Sequence, residues 1–303
     1  MEPNAVSGGG FCMHLYSRKA CSFKMALVAM KDLLDRAEEK KIAVGAFSVG
    51  NMEMILGAVK AAQEANTPII LQIAEVRLPY APLEIIGPMM IAAAENASVD
   101  IAVHLDHGLR TETVAKALDI GFTSVMFDGS QMPLAENIAT VKNVVNLASD
   151  YDATVEAELG VVGGNEGEGK AHEILCTNPA DAIHFCDETG VDALAVAIGN
   201  AHGNYPKLPE LRFDVLEEIH NAVKTPLVLH GGTGITPEMF RRCITLGVRK
   251  INIATASFDA LASYAKAYCD NKEGKPNYFE LSSCEVEGVY QNVKKHIEIF
   301  NMQ

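Results

Sequence analysis

"DIAVHLDHG", residues 100–108, decides the fold. An apolar run rich in branched residues ends in carboxylate and imidazole groups. Strands buried on both faces lose polar alternation, and in barrels of such strands the chemistry sits at the C-terminal tips. Taken alone, the tail is a solvated turn that happens to hold His104, Asp106 and His107, or the first piece of a metal site. The choice depends on whether more ligands arrive at equivalent places in the chain.

Seven further runs of the same kind occur. They are "AVGAFSV" (43–49), "PIILQIA" (68–74), "TSVMFD" (123–128), "TVEAELG" (154–160), "ALAVAIG" (193–199), "PLVLHG" (226–231) and "KINIAT" (250–255). Each is followed by a segment with room for a helix, the arrangement of repeated βα units. Eight units in succession predict an α/β protein with a (β/α)₈ TIM barrel, in preference to a doubly wound sheet.

The flanks fit one barrel domain over residues 25–303. Leu27, Met30, Leu33, Leu34 and Ala37 fall at helical spacing. Asn51 is placed to cap a helix whose face is marked by Met52, Ile55, Leu56, Val59 and Ala62. Val286, Val289, Tyr290, Val293, Ile297 and Phe300 make a C-terminal helical stripe, expected to cover the barrel or a partner subunit. Residues 1–24 mix glycines with scattered charges and have no apolar core, so they read as a poorly ordered extension and a poor signal peptide. The glycine-rich loop 160–178 is of the long kind that is usually functional.

Composition narrows the function. The 303 residues carry a net charge of −14, with no basic stripe to offset it, which argues against nucleic acid as a partner. No apolar run approaches the roughly 20 residues needed to cross a bilayer. The seven cysteines include no CxxC pair and read as reduced thiols of a cytoplasmic protein.

The strand tips hold the candidate chemistry. Strand three ends in Asp106 and His107, strand four in Asp128, and strand five carries Glu156 and Glu158. His202 follows strand six, and His230 ends strand seven. Three imidazoles at one rim, with a fourth position open, suit a catalytic zinc, and neighbouring carboxylates can orient them. His104 shares a face with Asp106 and reads as a packed residue behind the ligands, while His14, His172, His184, His220 and His296 lack rim placement. "HGGTG" (230–234) and "NIAT" (252–255) occupy the two loops where many barrels bind phosphate, with Thr233 and Thr255 as added donors. The same histidines could serve a metal-dependent hydrolase, since a fold does not choose its chemistry.

Together "HLDHG", "VMFDGS", "VEAELG", "AVAIGNAHG", "LVLHGGTGI" and "KINIAT" resemble the class II, zinc-dependent ketose-bisphosphate aldolases, in particular the tagatose- and fructose-bisphosphate branch. The resemblance runs from about residue 26 to residue 300. It implies zinc on His107, His202 and His230, and Asp106 as proton donor and acceptor. It implies a second monovalent or divalent cation near Asp128 and Glu158. It implies dihydroxyacetone phosphate on Gly203, Gly231, Gly232, Thr233, Asn252, Ile253, Ala254 and Thr255, with Glu166 moving the carbon-bound proton. It further implies a phosphosugar substrate and a homodimer or homotetramer. Three places depart from the pattern. Phe258 stands where a basic residue commonly helps with the distal phosphate, and Ala74–Glu75 where a serine or threonine is usual. The mobile loop reads "GGNEGEG". The departures predict that the dihydroxyacetone phosphate half is kept and the aldehyde half altered, toward an unphosphorylated aldehyde.

Overall fold

The structure, a computed structural model, describes residues 26–164, 175–204 and 207–303. Residues 1–24, the expected start at Met25, Glu166 and His172 lie outside it.

The eight expected strands are present: β1 (Val44–Ser48), β2 (Ile69–Ala74), β3 (Ile101–Gly108), β4 (Ser124–Phe127), β5 (Thr154–Leu159), β6 (Ala193–Val196), β7 (Leu227–Leu229) and β8 (Val248–Ile253). They close in sequence order into one barrel, and every pairing is parallel. The seam is β1 against β8, with Val44 opposite Lys250 and Ala46 opposite Asn252. Strand eight starts two residues before its expected position, and Thr255 opens the following helix, α9 (Thr255–Asn271), instead of ending the strand.

The barrel interior changes character from bottom to top. Its lower layer is Val44, Ala46, Ile70, Ala102, Ala193, Ala195 and Val228. Helix α1 (Met30–Lys40) plugs that end with Met30, Leu33, Leu34 and Ala37. Above it the inward positions turn polar, with Gln72, His104, Ser124, Glu156, Lys250 and Asn252 all buried. Outside the strands, a separate apolar shell joins them to the helices.

Two helices bear on the expectations. Asn51 does cap α2 (Met52–Glu64), its side chain accepting from Met54 N at 2.9 Å. The buried face is only partly the expected one: Ile55 and Ala62 are covered and Val59 is half-buried, but Met54, Gly57, Ala58 and Ala61 are covered too, whereas Met52 and Leu56 are exposed. The reason is α10 (Tyr278–Phe300), which lies across α2 and α9 and needs α2's small residues for close approach. A Cβ at Gly57 would stand 2.6 Å from the Val286 carbonyl oxygen. The C-terminal stripe therefore covers the barrel of its own chain, with Val289, Tyr290, Val293, Ile297 and Phe300 buried.

Candidate active site

The tip of β3 is irregular, and the irregularity builds the site. Register with β4 shifts between Leu105 and Gly108, and His107 has φ +41°. A side chain that strand alternation would turn outward is thereby swung into the mouth, beside Asp106. Strain of this kind at a non-glycine residue persists only where the surroundings fix it. Here the fixing partner is Asp128, at the tip of β4, whose carboxylate lies 2.8 Å from His107 Nδ1.

Two other histidines meet His107. His230 follows β7 and is fully buried; its Nδ1 is 2.9 Å from His107 Nε2. His202 comes from the loop after β6, its ring centroid 4.9 Å from that of His107 and 5.9 Å from that of His230. One nitrogen from each of the three lies within 4.8 Å of the others. His202 is held by its backbone, N–H donating to Gly163 O at 2.7 Å. Asn200 ties the loops of β6 and β7 together, donating from Nδ2 to His230 O at 3.1 Å. Gly231 has φ +65°, and any Cβ there would meet Ala201 O at 2.1 Å, so the turn after His230 admits only glycine.

The far nitrogens decide what the near ones can do. His230 Nε2 is 2.8 Å from Glu156 Oε1, and Glu156 is in turn paired with the fully buried Lys250 at 2.8 Å. His107 and His230 thus each have one nitrogen held by a carboxylate, which leaves Nε2 of His107 and Nδ1 of His230 as the converging pair. Carboxylate-oriented imidazoles are the usual support of a metal ligand. Three imidazole nitrogens gathered this closely suit zinc, whose bonds to such donors are about 2.0–2.1 Å.

The local field agrees. Burial would lower the pKa of His107, but the charges of Asp106 and Asp128 raise it well above the ordinary value. The spot favours positive charge, which a divalent ion supplies. Burial, then the neighbouring His107, holds His230 well below its ordinary value, so it stays a neutral donor. Asp128 is half-buried, yet its hydrogen bond from His107 keeps its pKa below the usual carboxylate range. Glu158 is raised well above its ordinary value by burial and then by Asp128. Among the described residues its Oε2, 3.4 Å from His230 Nδ1, is buried without a hydrogen bond, and His107, Asp128 and Glu158 form a second group able to hold a cation.

Asp106, next to His107, is gripped by two amides. Its Oδ1 accepts from Asn252 Nδ2 at 3.0 Å and its Oδ2 from Gln72 Nε2 at 2.9 Å. Gln72 also donates to Ser48 at 3.2 Å, and Lys250 donates to Asn252 Oδ1 at 2.7 Å. Asp106 lines a small cavity with His202, Gly203, Gly231–Thr233, Asn252, Ala254 and Thr255. Seven of the eight expected substrate residues are among these; Ile253 is the exception, a buried residue of β8. The positive end of the α9 dipole opens here, with Ser257 N and Phe258 N donating to Ala254 O at 2.9 and 3.3 Å. Thr233 Oγ1 accepts from Ala256 N at 3.0 Å and keeps its own proton to donate.

His104 is behind the site, as expected: fully buried, with Nδ1 2.9 Å from Ser124 Oγ. Glu75 turns away from the mouth altogether. Its carboxylate accepts from Leu109 N, Arg110 Nε and Thr113 Oγ1 at 2.7, 2.6 and 2.8 Å, fixing the loop after β2 to the loop after β3. Gln72, Asn200, Lys250 and the role of Glu156 are absent from the sequence reading. Their one signal was a polar residue inside or beside an apolar run.

Comparisons with known proteins agree with this geometry. Residues 28–303 match the family described as "Fructose-bisphosphate aldolase class-II". A Bacillus subtilis protein named "Probable fructose-bisphosphate aldolase" is 40% identical over 259 residues, 84% of this chain and 90% of that one. A Staphylococcus aureus fructose-bisphosphate aldolase is 37% identical over 281 residues, 91% of this chain and 98% of that one. The crystal structure of the YdjI aldolase from Escherichia coli K12 superposes with a TM-score of 0.81 at 32% identity, covering 90% of this chain and 97% of that one. With its barrel, its rim of imidazoles and these relatives, the chain belongs to the class-II fructose-bisphosphate aldolase family, and it is an aldolase, a carbon–carbon lyase.

Proposed function

We propose that the protein is a zinc-dependent aldolase that reversibly cleaves a ketose bisphosphate of the fructose or tagatose type to dihydroxyacetone phosphate and an aldehyde. One observation carries the reading. Three imidazoles from β3, β6 and β7 converge beside a carboxylate that lines the same cavity as the phosphate-type loops. His107, His202 and His230 would hold the zinc, which when bound supplies a Lewis acid for the charge that builds on the ketose oxygens.

The chain does the rest. Asp106 takes the proton from the hydroxyl on the carbon beside the breaking bond and returns it to the aldehyde oxygen in condensation. The amides of Gln72 and Asn252 fix both of its oxygens as acceptors, so it meets that hydroxyl in one orientation. Gly231–Thr233 and the first turn of α9 grip the phosphate through N–H and hydroxyl donors. Asp128 and Glu158 would hold a second cation. The carbon-bound proton is assigned to Glu166 on the family resemblance alone.

The family resemblance also carries a cytoplasmic homodimer or homotetramer, which light scattering would test. Cleavage of fructose and tagatose 1,6-bisphosphates, measured with and without chelator, tests the reaction. Asp106→Asn should cost at least about 100-fold in turnover while zinc content stays near one per chain. Retained activity would overturn the proton assignment, and hydrolytic products would favour the metal-hydrolase reading. Cleavage of singly phosphorylated ketoses in preference to either bisphosphate would favour an unphosphorylated aldehyde.

A further inference from the structure

Beyond the phosphate cavity, a second hollow opens on the rim. It has a volume of about 320 Å³ and is lined by Asn51, Met54, Arg77, Tyr80, Phe258 and Leu261, among others. Three strand ends meet there. Asn51 follows β1, Arg77 follows β2, and Phe258 is in the first turn of α9, after β8. Phe258 falls three and four residues after Thr255 and Ala254, hence on the same helix face as two residues of the phosphate cavity. Arg77 comes three residues after Ala74, which is in register with Asp106. The hollow therefore opens on the same rim as the mouth, beside the strand end in register with Asp106.

Its walls are apolar but for one charge. The Arg77 guanidinium carbon lies 5.6 Å from the centroid of the Phe258 ring. Among the described residues the guanidinium has no hydrogen bond or ion pair. Its backbone carbonyl accepts from Tyr80 N and Ala81 N. Glu75, two residues away, is spoken for by the loop after β3 and so pins the turn that carries Arg77 without neutralising it. A planar five-donor cation stacked on a ring, facing an apolar hollow, is built to receive an oxyanion. Phe258 thus does not simply lack the charge usual at its position; it is the platform for a charge delivered from another strand.

We propose that Arg77, seated on Phe258, is the specificity-determining residue for the aldehyde half, and that it selects aldehydes with a terminal oxyanion remote from the carbonyl. The inference rests on the aldolase reading above and goes beyond it. The oxyanion is a phosphate or a carboxylate, and the test separates them.

The zinc-loaded protein is assayed in condensation with dihydroxyacetone phosphate and three aldehydes: glyceraldehyde 3-phosphate, succinic semialdehyde and glyceraldehyde. Wild type should favour one anionic aldehyde over glyceraldehyde in kcat/KM, and which one identifies the anion. Arg77→Met should cut that preference roughly 10- to 100-fold, the loss expected for charge-assisted hydrogen bonds, with glyceraldehyde within about twofold of wild type. Arg77→Lys should recover part of it, and Phe258→Ala should weaken it by freeing the guanidinium. Circular dichroism and zinc content monitor folding of each variant, and Arg77→Lys serves if Arg77→Met fails to fold. An unchanged preference in folded Arg77 variants, or a wild type that prefers glyceraldehyde, overturns this inference alone. No condensation with any aldehyde overturns the aldolase reading first.

Discussion

At His230 the two ring nitrogens have different duties. Nδ1 faces His107, while Nε2 is held by Glu156, whose own charge is matched by Lys250. Removing the carboxylate should free the ring and blunt its donor strength. Glu156→Gln is expected to weaken zinc binding about 10- to 100-fold, read by competition with a chromophoric chelator. Lys250→Met should do the same and also lower turnover, because Lys250 orients Asn252 toward Asp106. None of this was legible in the residues. An inward polar side chain within an apolar run declares itself only once strand register is known. The three converging histidines could be picked out because each stands at or just after the end of a run, where a barrel collects its chemistry.

His296 makes a second prediction at this scale. It is packed against Phe47, Phe240 and Phe300, and its Nδ1 donates to Asn292 O at 2.8 Å. Burial is the main cause that lowers its pKa from 6.5 to about 4. An unfolded chain takes up this proton near pH 6.5, the folded one only near pH 4. The unfolded state therefore binds more protons across that window, and stability falls as pH drops through it. The gap of 6.5 to about 4 corresponds to about 3 kcal/mol. His296→Phe should remove that part of the acid slope. Urea melts of wild type and variant at pH 7 and pH 4.5 would show it, and parallel losses would refute it.

At the scale of elements, the contact of α2 with α10 is the tightest to test. Gly57→Val places a branched side chain where Val286 O and the Val289 Cβ already stand 2.6 and 2.9 Å from a single added carbon. Overpacking should cost about 1–3 kcal/mol, seen as a lower Tm, with zinc affinity little changed. This contact also explains the misread face of α2. Periodicity located the helix, but Met52 and Leu56 looked like its core, whereas Gly57 and the alanines are what a crossing helix requires. Large apolar residues signal burial from sequence; small ones at a close crossing do not. The α10 stripe was legible because its covered residues are large.

For the whole molecule, the eightfold count was sufficient to fix the barrel, because each strand is short, apolar and followed by a helix-length segment. What the count could not provide was the polar upper interior, with Gln72, His104, Glu156 and Lys250 stacked beneath the mouth. His107 and His230, buried and converging with the half-buried His202, should also make the folded state depend on the proposed ion. Chelation should abolish turnover and lower the Tm. Zinc at about a hundred times its Kd should restore about 2.7 kcal/mol, and calorimetry of stripped and reloaded protein measures it. An unchanged Tm on stripping would mean that the folded state does not depend on the ion.

The seam has a consequence for synthesis. Val44 pairs with Lys250, and Ala43 N donates to Phe300 O near the end of the chain. On the ribosome, β1 must wait, unpaired on one edge, until most of the polypeptide has emerged. Nascent chains carry an open sheet through that interval, and the proposed metal site is complete only after His230 has left the exit tunnel. Pausing translation late should therefore expose this protein to chaperones more than pausing it early.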